Sequence, residues 1–268
     1  MRIGTHEFDV KNQTYIMGIL NVTPDSFSDG GKFKGVDAAL KRAEQMQREG
    51  AAILDIGGES TRPGYTPVSE EVEMERILPV IEAVKKNLDI PVSVDTYKST
   101  VAKAAILAGA DLINDIWGLK ADDKMAELIA NHRVACCLMH NRNNAEYVEF
   151  ILDMLSDLKE SLALAEQAGI ESDKIILDPG VGFAKSYEQN LEVLRNLDRV
   201  RELGYPVLLG TSRKSVIGLT LDLPSEERVE GTLVTTVAAV QAGCGFVRVH
   251  DVKENYRAIQ MAQAIYRK

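Results

Sequence analysis

No stretch of this sequence approaches the ~18 consecutive apolar residues of a membrane-spanning helix. The opening residues, MRIGTHEFDV, lack the basic-then-apolar profile of a secretory leader, so neither a membrane nor secretion is expected. Positive charge is also scarce: 31 Lys and Arg against 40 Asp and Glu leave a net charge of −9. That balance argues against nucleic-acid or anionic-membrane partners and for a soluble protein. Four histidines leave little material for a histidine-rich metal centre. The three cysteines, Cys136, Cys137 and Cys244, form no CxxC pair, and two are neighbours inside one apolar run. Buried thiols in a reducing cytoplasm are therefore expected. Repeats, low-complexity tracts and linkers are missing too, so residues 1–268 read as a single domain.

What the chain does contain is a regular series of eight short apolar runs. They are Tyr15–Val22, Ala52–Ile56, Pro91–Val94, Leu112–Ile116, Val134–Met139, Lys174–Leu177, Pro206–Leu209 and Phe246–Val249. Each leads into polar residues: Asn21, Asp55, Asp95, Asn114 with Asp115, His140, Asp178, Lys214, and Arg248 with His250. A helical pattern follows each run. The expected fold is α/β, a single (β/α)8 TIM barrel, whose active sites lie at the C-terminal ends of the strands. Arg2-Ile3-Gly4 and Phe8-Asp9-Val10 are expected to form a short N-terminal hairpin closing the barrel bottom. Helical faces read as Val36, Ala39, Leu40, Ala43 and Met46, then Ile77, Ile81, Val84 and Leu88. A third comprises Val148, Ile151, Leu152, Leu155, Leu158, Leu162 and Ala165. Ser99, Asp122 and Ser225 are candidate N-caps. Two long connections, Thr23 to Gly35 and Gly57 to Ser69, follow the first two runs and read as lids over the catalytic face.

The carboxylates Asp95, Asp115 and Asp178, with Asn114, would line a confined cup. Such a cup suits a planar ligand presenting adjacent N–H groups, as pterins and guanine do. It could equally bind Mg2+ or run acid–base chemistry. Lys214, Arg213, Arg248 and His250 bring positive charge to the same rim, and Arg248 and His250 share a strand face. Phosphate sites in barrels are often built after the seventh and eighth strands, which favours a phosphate-bearing ligand. Lys214 could alternatively form a Schiff base, though nothing else points to carbonyl chemistry. Asn21 could hold Mg2+ beside a diphosphate, Met139 suits packing against a flat ring, and His140 reads as either a satisfied rim histidine or a functional one.

Seven blocks in register carry a family resemblance. The stretch Met17 to Gly31 (MGILNVTPDSFSDGG) resembles the first signature of the dihydropteroate synthase family, folate-pathway enzymes that sulfonamides inhibit. Asp55–Gly64 (DIGGESTRPG), Ser93–Thr96, Ile113–Ile116, Leu177–Phe183, Gly210–Ser215 and Arg248–Val252 resemble its other blocks in order, while Asn141 departs from the usual Met-His-Met after the fifth strand. The resemblance implies that 6-hydroxymethyl-7,8-dihydropterin diphosphate and p-aminobenzoate are joined to give 7,8-dihydropteroate and diphosphate, by an SN1-like route. It implies that Asn114, Asp178 and Lys214 bind the pterin edge, with Asp95 and Asp115 nearby. Ile116, Met139 and Phe183 would line its faces and Arg248 would lie across the ring. Asn21, Thr61, Arg248 and His250 would hold the diphosphate, with Asn21 as the protein ligand to Mg2+. Phe27, Thr61, Arg62, Pro63 and Ser215 would form the aminobenzoate and sulfonamide pocket. Asp95, Lys214 and Arg248 would be the catalytic set, and the family suggests a homodimer through outer helices around Leu221–Val240.

Rival readings are a corrinoid-linked methyltransferase acting on methyltetrahydrofolate, a non-catalytic pterin-binding paralogue, and a sugar-phosphate isomerase. The first needs no diphosphate site, the second should lose lid or phosphate residues, and the third lacks an evident glutamate base with a histidine electrophile.

Overall fold

The computed structural model describes residues 1–22, 31–59 and 67–267, with backbone alone for 31–34. Each apolar run becomes a strand, because β-branched and aliphatic residues bounded by turn-forming segments bury both faces of a parallel sheet. The barrel strands are β3 (Tyr15–Asn21), β4 (Ala51–Gly57), β5 (Val92–Asp95), β6 (Leu112–Asp115), β7 (Ala135–Met139), β8 (Ile175–Asp178), β9 (Leu208–Leu209) and β10 (Phe246–Val249). They form one eight-stranded sheet in the order β8-β7-β6-β5-β4-β3-β10-β9. A parallel bridge between Leu177 and Val207 joins the two ends and closes the barrel. Around it pack α1 (Gly31–Glu49), α2 (Glu70–Asn87), α3 (Ser99–Leu107), α4 (Met125–His132), α5 (Phe150–Ala168), α6 (Tyr187–Arg195), α7 (Leu197–Arg201), α8 (Ser215–Leu221), α9 (Val229–Ala242) and α10 (Val252–Tyr266).

Strand alternation divides the core in two. Ile16, Leu54, Val94, Ile113, Cys136, Leu177 and Val247 face the helices. Met17, Ile53, Leu112, Cys137, Ile176, Leu208 and Phe246 fill the lower barrel interior. The interior is plugged from below by the hairpin of β1 (Arg2–Ile3) and β2 (His6–Glu7). Ile3 and Phe8 are buried there, and the Phe8 ring lies 5.6 Å from Phe246 and 5.0 Å from Tyr15. Gly4 makes the turn at φ +56°, and a Cβ there would come within 2.8 Å of the Asp111 carboxyl carbon, so the turn requires glycine.

Several sequence expectations shift. The hairpin pairs Arg2 with Glu7 and Ile3 with His6, so Phe8 is the plug that follows the ladder rather than part of it. The helix after the first connection starts at Gly31, not beyond Gly35, because packing of its buried Ala39, Ala43 and Met46 carries the glycine into the helix. Ser99 is the first residue of α3 rather than its cap; its N–H is taken by Asp122 Oδ2 at 2.8 Å, while Asp122 Oδ1 accepts from Lys124 N at 3.0 Å. Ser225 opens a 3₁₀ turn whose cap position is Pro224. Val148 is 95% exposed and precedes α5, and Leu152 is 53% exposed, since the buried stripe of that helix runs through Met154, Leu155, Leu158, Ser161 and Ala165.

Candidate active site

Above the apolar floor, the same inward alternation presents Asp55, Ser93, Asp95, Asn114, Asp178 and Arg248 at the strand ends. Arg248 on β10 is the hub. Its Nε donates to Asp55 Oδ2 at 2.5 Å and its Nη2 to Asp95 Oδ2 at 2.7 Å. Ser93 Oγ donates to Asp55 Oδ1 at 2.5 Å, and Asn114 Nδ2 lies 3.4 Å from Asp55 Oδ2. Asp95 Oδ1 is buried and accepts no hydrogen bond from the protein. Burial raises Asp95 to about 7, opposed by the Arg248 guanidinium and reinforced by the neighbouring Asp55 carboxylate. Burial also works against Arg248, but the Asp55 and Asp95 carboxylates hold it above its ordinary value, so it stays charged.

Opposite this lattice, Asp178 ends β8 and accepts from Gly180 N at 2.7 Å through Oδ1. Lys214 Nζ donates to Val181 O and sits 4.7 Å from the Phe183 ring centroid. Gly210 marks where the groups converge: a Cβ there would sit 3.5 Å from Asp178 Oδ2 and 3.9 Å from Lys214 Nζ and Arg248 Cβ. Burial lowers Lys214 to about 8, opposed by Asp178, while burial raises Asp178, opposed by Lys214. Ile116, just past the end of β6, and Met139, the last residue of β7, are both buried.

The remaining sequence candidates are placed as follows. Asp115 is one residue out of phase with Asn114 and turns away from the lumen. Its two oxygens accept from Trp117 N at 2.8 Å and Leu119 N at 2.7 Å, so the structure does not bring it into the Asp95–Asp178 cup. His250 stands beside Ser212, with Nδ1 and Oγ 2.9 Å apart. Arg213 is not a rim cation turned to a ligand: its guanidinium forks Asp251 at 3.0 and 2.5 Å and ties the loop after β9 to the end of β10. Ser215 is exposed at the first position of α8. Asn21 ends β3, and a Cβ on Gly57 would lie 3.8 Å from Asn21 Oδ1 and 3.6 Å from Asp95 Cβ, so the amide oxygen shares the cup mouth with Asp95. Among the described residues no group of three or more His, Cys, Asp or Glu is disposed to hold a metal. Phe27, Thr61, Arg62 and Pro63 lie outside the described residues.

Other residues escaped the sequence reading. Asp55 appeared as a strand end and at the head of the Asp55–Gly64 block but was given no role, yet it is the buried partner of Arg248; its period-two spacing from Ile53 was the available signal. Glu59 lay within the Asp55–Gly64 block without a role of its own, and Lys98 had no motif to mark it. Lys98 Nζ donates to Glu59 Oε2 at 2.6 Å, Glu73 Oε2 at 2.7 Å and Val68 O at 2.8 Å. Glu59 Oε2 also accepts from Val68 N at 2.9 Å, which staples the two ends of the 60–66 connection. Burial would lower the Lys98 ammonium, but the two glutamates raise it above its ordinary value.

Comparison with known proteins agrees with this geometry. A family model described as pterin binding enzyme matches residues 17–250. The chain is 60% identical over 269 residues to the dihydropteroate synthase of Clostridium beijerinckii, covering 100% of each. Its structure is similar to a Clostridium difficile dihydropteroate synthase determined in the presence of pteroic acid, with TM-score 0.95, 50% identity, and coverage of 98% of this chain and 100% of that one. It is also similar to the Xanthomonas albilineans enzyme with 4-aminobenzoic acid, with TM-score 0.90, 43% identity, and coverage of 95% and 93%. A parallel barrel with a buried Asp–Arg–Asp lattice facing a Lys–Asp pair, matched along its whole length, places this chain in the dihydropteroate synthase family of pterin-binding transferases.

Proposed function

We propose that the chain condenses 6-hydroxymethyl-7,8-dihydropterin diphosphate with p-aminobenzoate, releasing diphosphate and 7,8-dihydropteroate. The observation that carries this reading is a buried cup with acceptors on two sides, Asp95 Oδ1 unpartnered on one and Asp178 on the other, with Arg248 bound to Asp95 and Lys214 close to Asp178. An unpaired buried acceptor costs free energy, so a ligand that brings a donor or positive charge to Asp95 Oδ1 would gain from the pairing. Asp178 and Asn114 would receive the N–H edge, with Lys214 donating to a ring acceptor. Met139, Ile116 and Phe183 would pack on the ring faces, and Arg248 would lie across it.

The carbon–oxygen bond to diphosphate breaks first, its electron pair leaving with the diphosphate. Arg248 and His250 would hold that leaving group, together with Asn21 at the mouth and, as the family resemblance implies, Thr61. Asn21 Oδ1 is a hard neutral oxygen of the kind that holds Mg2+, which when bound neutralises charge building on the diphosphate. The exocyclic cation left on the pterin is stabilised by the Asp95 carboxylate beside it. The arylamine nitrogen then forms the new carbon–nitrogen bond and sheds a proton to solvent. It is neutral at pH 7, so no strong base is required. Ser215, with Phe27, Thr61, Arg62 and Pro63, would hold the aminobenzoate, the compound bound by the Xanthomonas albilineans relative.

The test is diphosphate release by the purified protein with both substrates and Mg2+, with and without a sulfonamide. Release that requires the aminobenzoate and yields dihydropteroate supports the reading; pterin binding without turnover removes it in favour of a non-catalytic paralogue or methyltransferase. A homodimer is proposed through the outer face of α8 to α10, where Leu219, Val234, Met261 and Ile265 are all more than half exposed. Sedimentation at twice the chain mass checks it. Three buried, unpaired thiols and the lack, among the described residues, of any helix able to cross a membrane fit a cytoplasmic enzyme.

A further inference from the structure

After β8 the chain runs through Pro179-Gly180-Val181-Gly182-Phe183-Ala184 to Lys185, and this loop furnishes half of the cup. Gly180 N orients the Asp178 carboxylate, Val181 O receives Lys214, and Phe183 supplies the ring beside the Lys214 ammonium. Its backbone is unusual: Gly180, Gly182 and Ala184 have φ of +70°, +86° and +43°. A non-glycine residue in the left-handed region persists only where surrounding contacts hold it.

Those contacts come largely from one side chain that no motif marks. Lys185 Nζ donates to Gly180 O at 2.9 Å and Phe183 O at 3.0 Å, and its third contact is His140 Nδ1 at 2.8 Å. An ammonium carries three donors and no acceptor, so all three are engaged. His140 is 2% exposed, and its Nε2 faces Asp157 Oδ2 at 2.9 Å. An ionised carboxylate only accepts, which puts the imidazole proton on Nε2 and leaves the Nδ1 lone pair for Lys185. Asp157 is locked in turn by Arg142, whose Nε and Nη2 reach it at 2.5 and 3.1 Å. Tyr147, from the same β7–α5 connection, donates to Ala184 O at 2.8 Å.

We infer that Lys185, oriented by the Asp157–His140 pair, is a positioning residue for pterin recognition: its grip on Gly180 O and Phe183 O sets Asp178, Lys214 and Phe183 in the cup. The inference rests on the pterin reading above and names the device that makes half of that site. Burial lowers His140 to about 4, which keeps it neutral and accepting through physiological pH. Burial likewise lowers Lys185 to about 7, opposed by Asp178 and Asp157.

The experiment uses the full chain and 6-hydroxymethyl-7,8-dihydropterin as the probe, with binding followed by calorimetry and both KM values from diphosphate release. Lys185→Met and His140→Leu are each expected to weaken the pterin by about tenfold or more, the loss of one to two charge-assisted hydrogen bonds. The KM for p-aminobenzoate should stay within about twofold, a split that general loosening of the barrel would not produce. His140→Asn, whose Oδ1 can stand where Nδ1 stood, should restore most of the affinity lost in His140→Leu. A folded Lys185→Met that binds the pterin like the unsubstituted chain overturns the inference, as does a parallel rise in both KM values. Should Lys185→Met fail to fold, the histidine pair decides: equal weakening in His140→Leu and His140→Asn overturns it. If the unsubstituted chain does not bind the pterin at all, the functional reading falls first and takes the inference with it.

Discussion

The lower and upper halves of the barrel interior are built on the same strands, yet their chemistry is opposite. Ile53, Cys137, Ile176 and Phe246 lie below; Asp55, Met139, Asp178 and Arg248 stand two residues further along the same strands. The lower half is a buried apolar plug. It is also what makes the upper half reactive: a carboxylate or ammonium resting on such a floor cannot be fully hydrated, so Asp95 and Asp178 move up and Lys214 moves down. One half supplies stability and the other holds charge at a cost in stability, the usual division in this fold.

Substitutions in the upper half should separate binding from folding most sharply. Asp178→Ala and Lys214→Ala are each expected to lower kcat/KM by about 10²-fold, as removal of a buried charge-assisted substrate contact does. Only Asp178→Ala should abolish binding of the bare pterin; calorimetry showing unchanged affinity in that variant refutes its assignment.

Arg248 tests whether the upper half is a stability burden. Arg248→Met strands two buried carboxylates and should cost about 3–5 kcal/mol of unfolding free energy. Adding Asp55→Asn should recover part of that stability and none of the activity. Phe246→Ala in the floor should cost a similar ~3–5 kcal/mol by opening a cavity. Its effect on pterin affinity, measured on the folded fraction, should be far smaller. Denaturant unfolding beside pterin titration distinguishes the two halves.

The comparison also has a pH signature. Asp95 must be ionised to stabilise a cation and titrates at about 7, so activity should rise through that value. Lys214 must be protonated to donate and titrates at about 8, and the Lys185 ammonium that holds the cup titrates at about 7, so activity should fall as pH rises through these values. The kcat/KM profile should be a narrow bell, and Asp95→Asn should remove its acid limb.

The smallest effect belongs to the neighbours Asn114 and Asp115. Asp115→Asn should leave pterin affinity intact and cost about 1 kcal/mol of stability through a lost loop hydrogen bond. Burial raises Asp115 from 3.8 to about 6 in the fold, so its contribution is fully present below 3.8 and is lost as pH rises through about 6. That decline should vanish in the variant. Asn114→Ala should do the reverse, weakening the pterin with little change in unfolding free energy.

Much of this was legible from spacing. Apolar runs punctuated by polar ends placed Asp95, Asn114, Asp178, Lys214 and Arg248 at one barrel mouth before any coordinates, because strand period and barrel topology leave few alternatives. Asp115 was not legible, since an adjacent pair such as Asn114-Asp115 does not say which member points inward until the register is known. Register is set by pairing across β5, β6 and β7. Lys185 was hidden for a different reason, as was the side His140 would take: the two lie 45 positions apart, and Lys185 acts on backbone carbonyls, which carry no residue signature.

Sequence alone thus determined the barrel, the end that carries the chemistry and the family, because periodicity and motif order are properties of the chain itself. Tertiary structure decided which carboxylates share Arg248, which way Asp115 turns, and what holds the loop after β8. Those depend on distances between strands and loops far apart in sequence, where a shift of one residue in register or a few ångströms in a loop changes the partner.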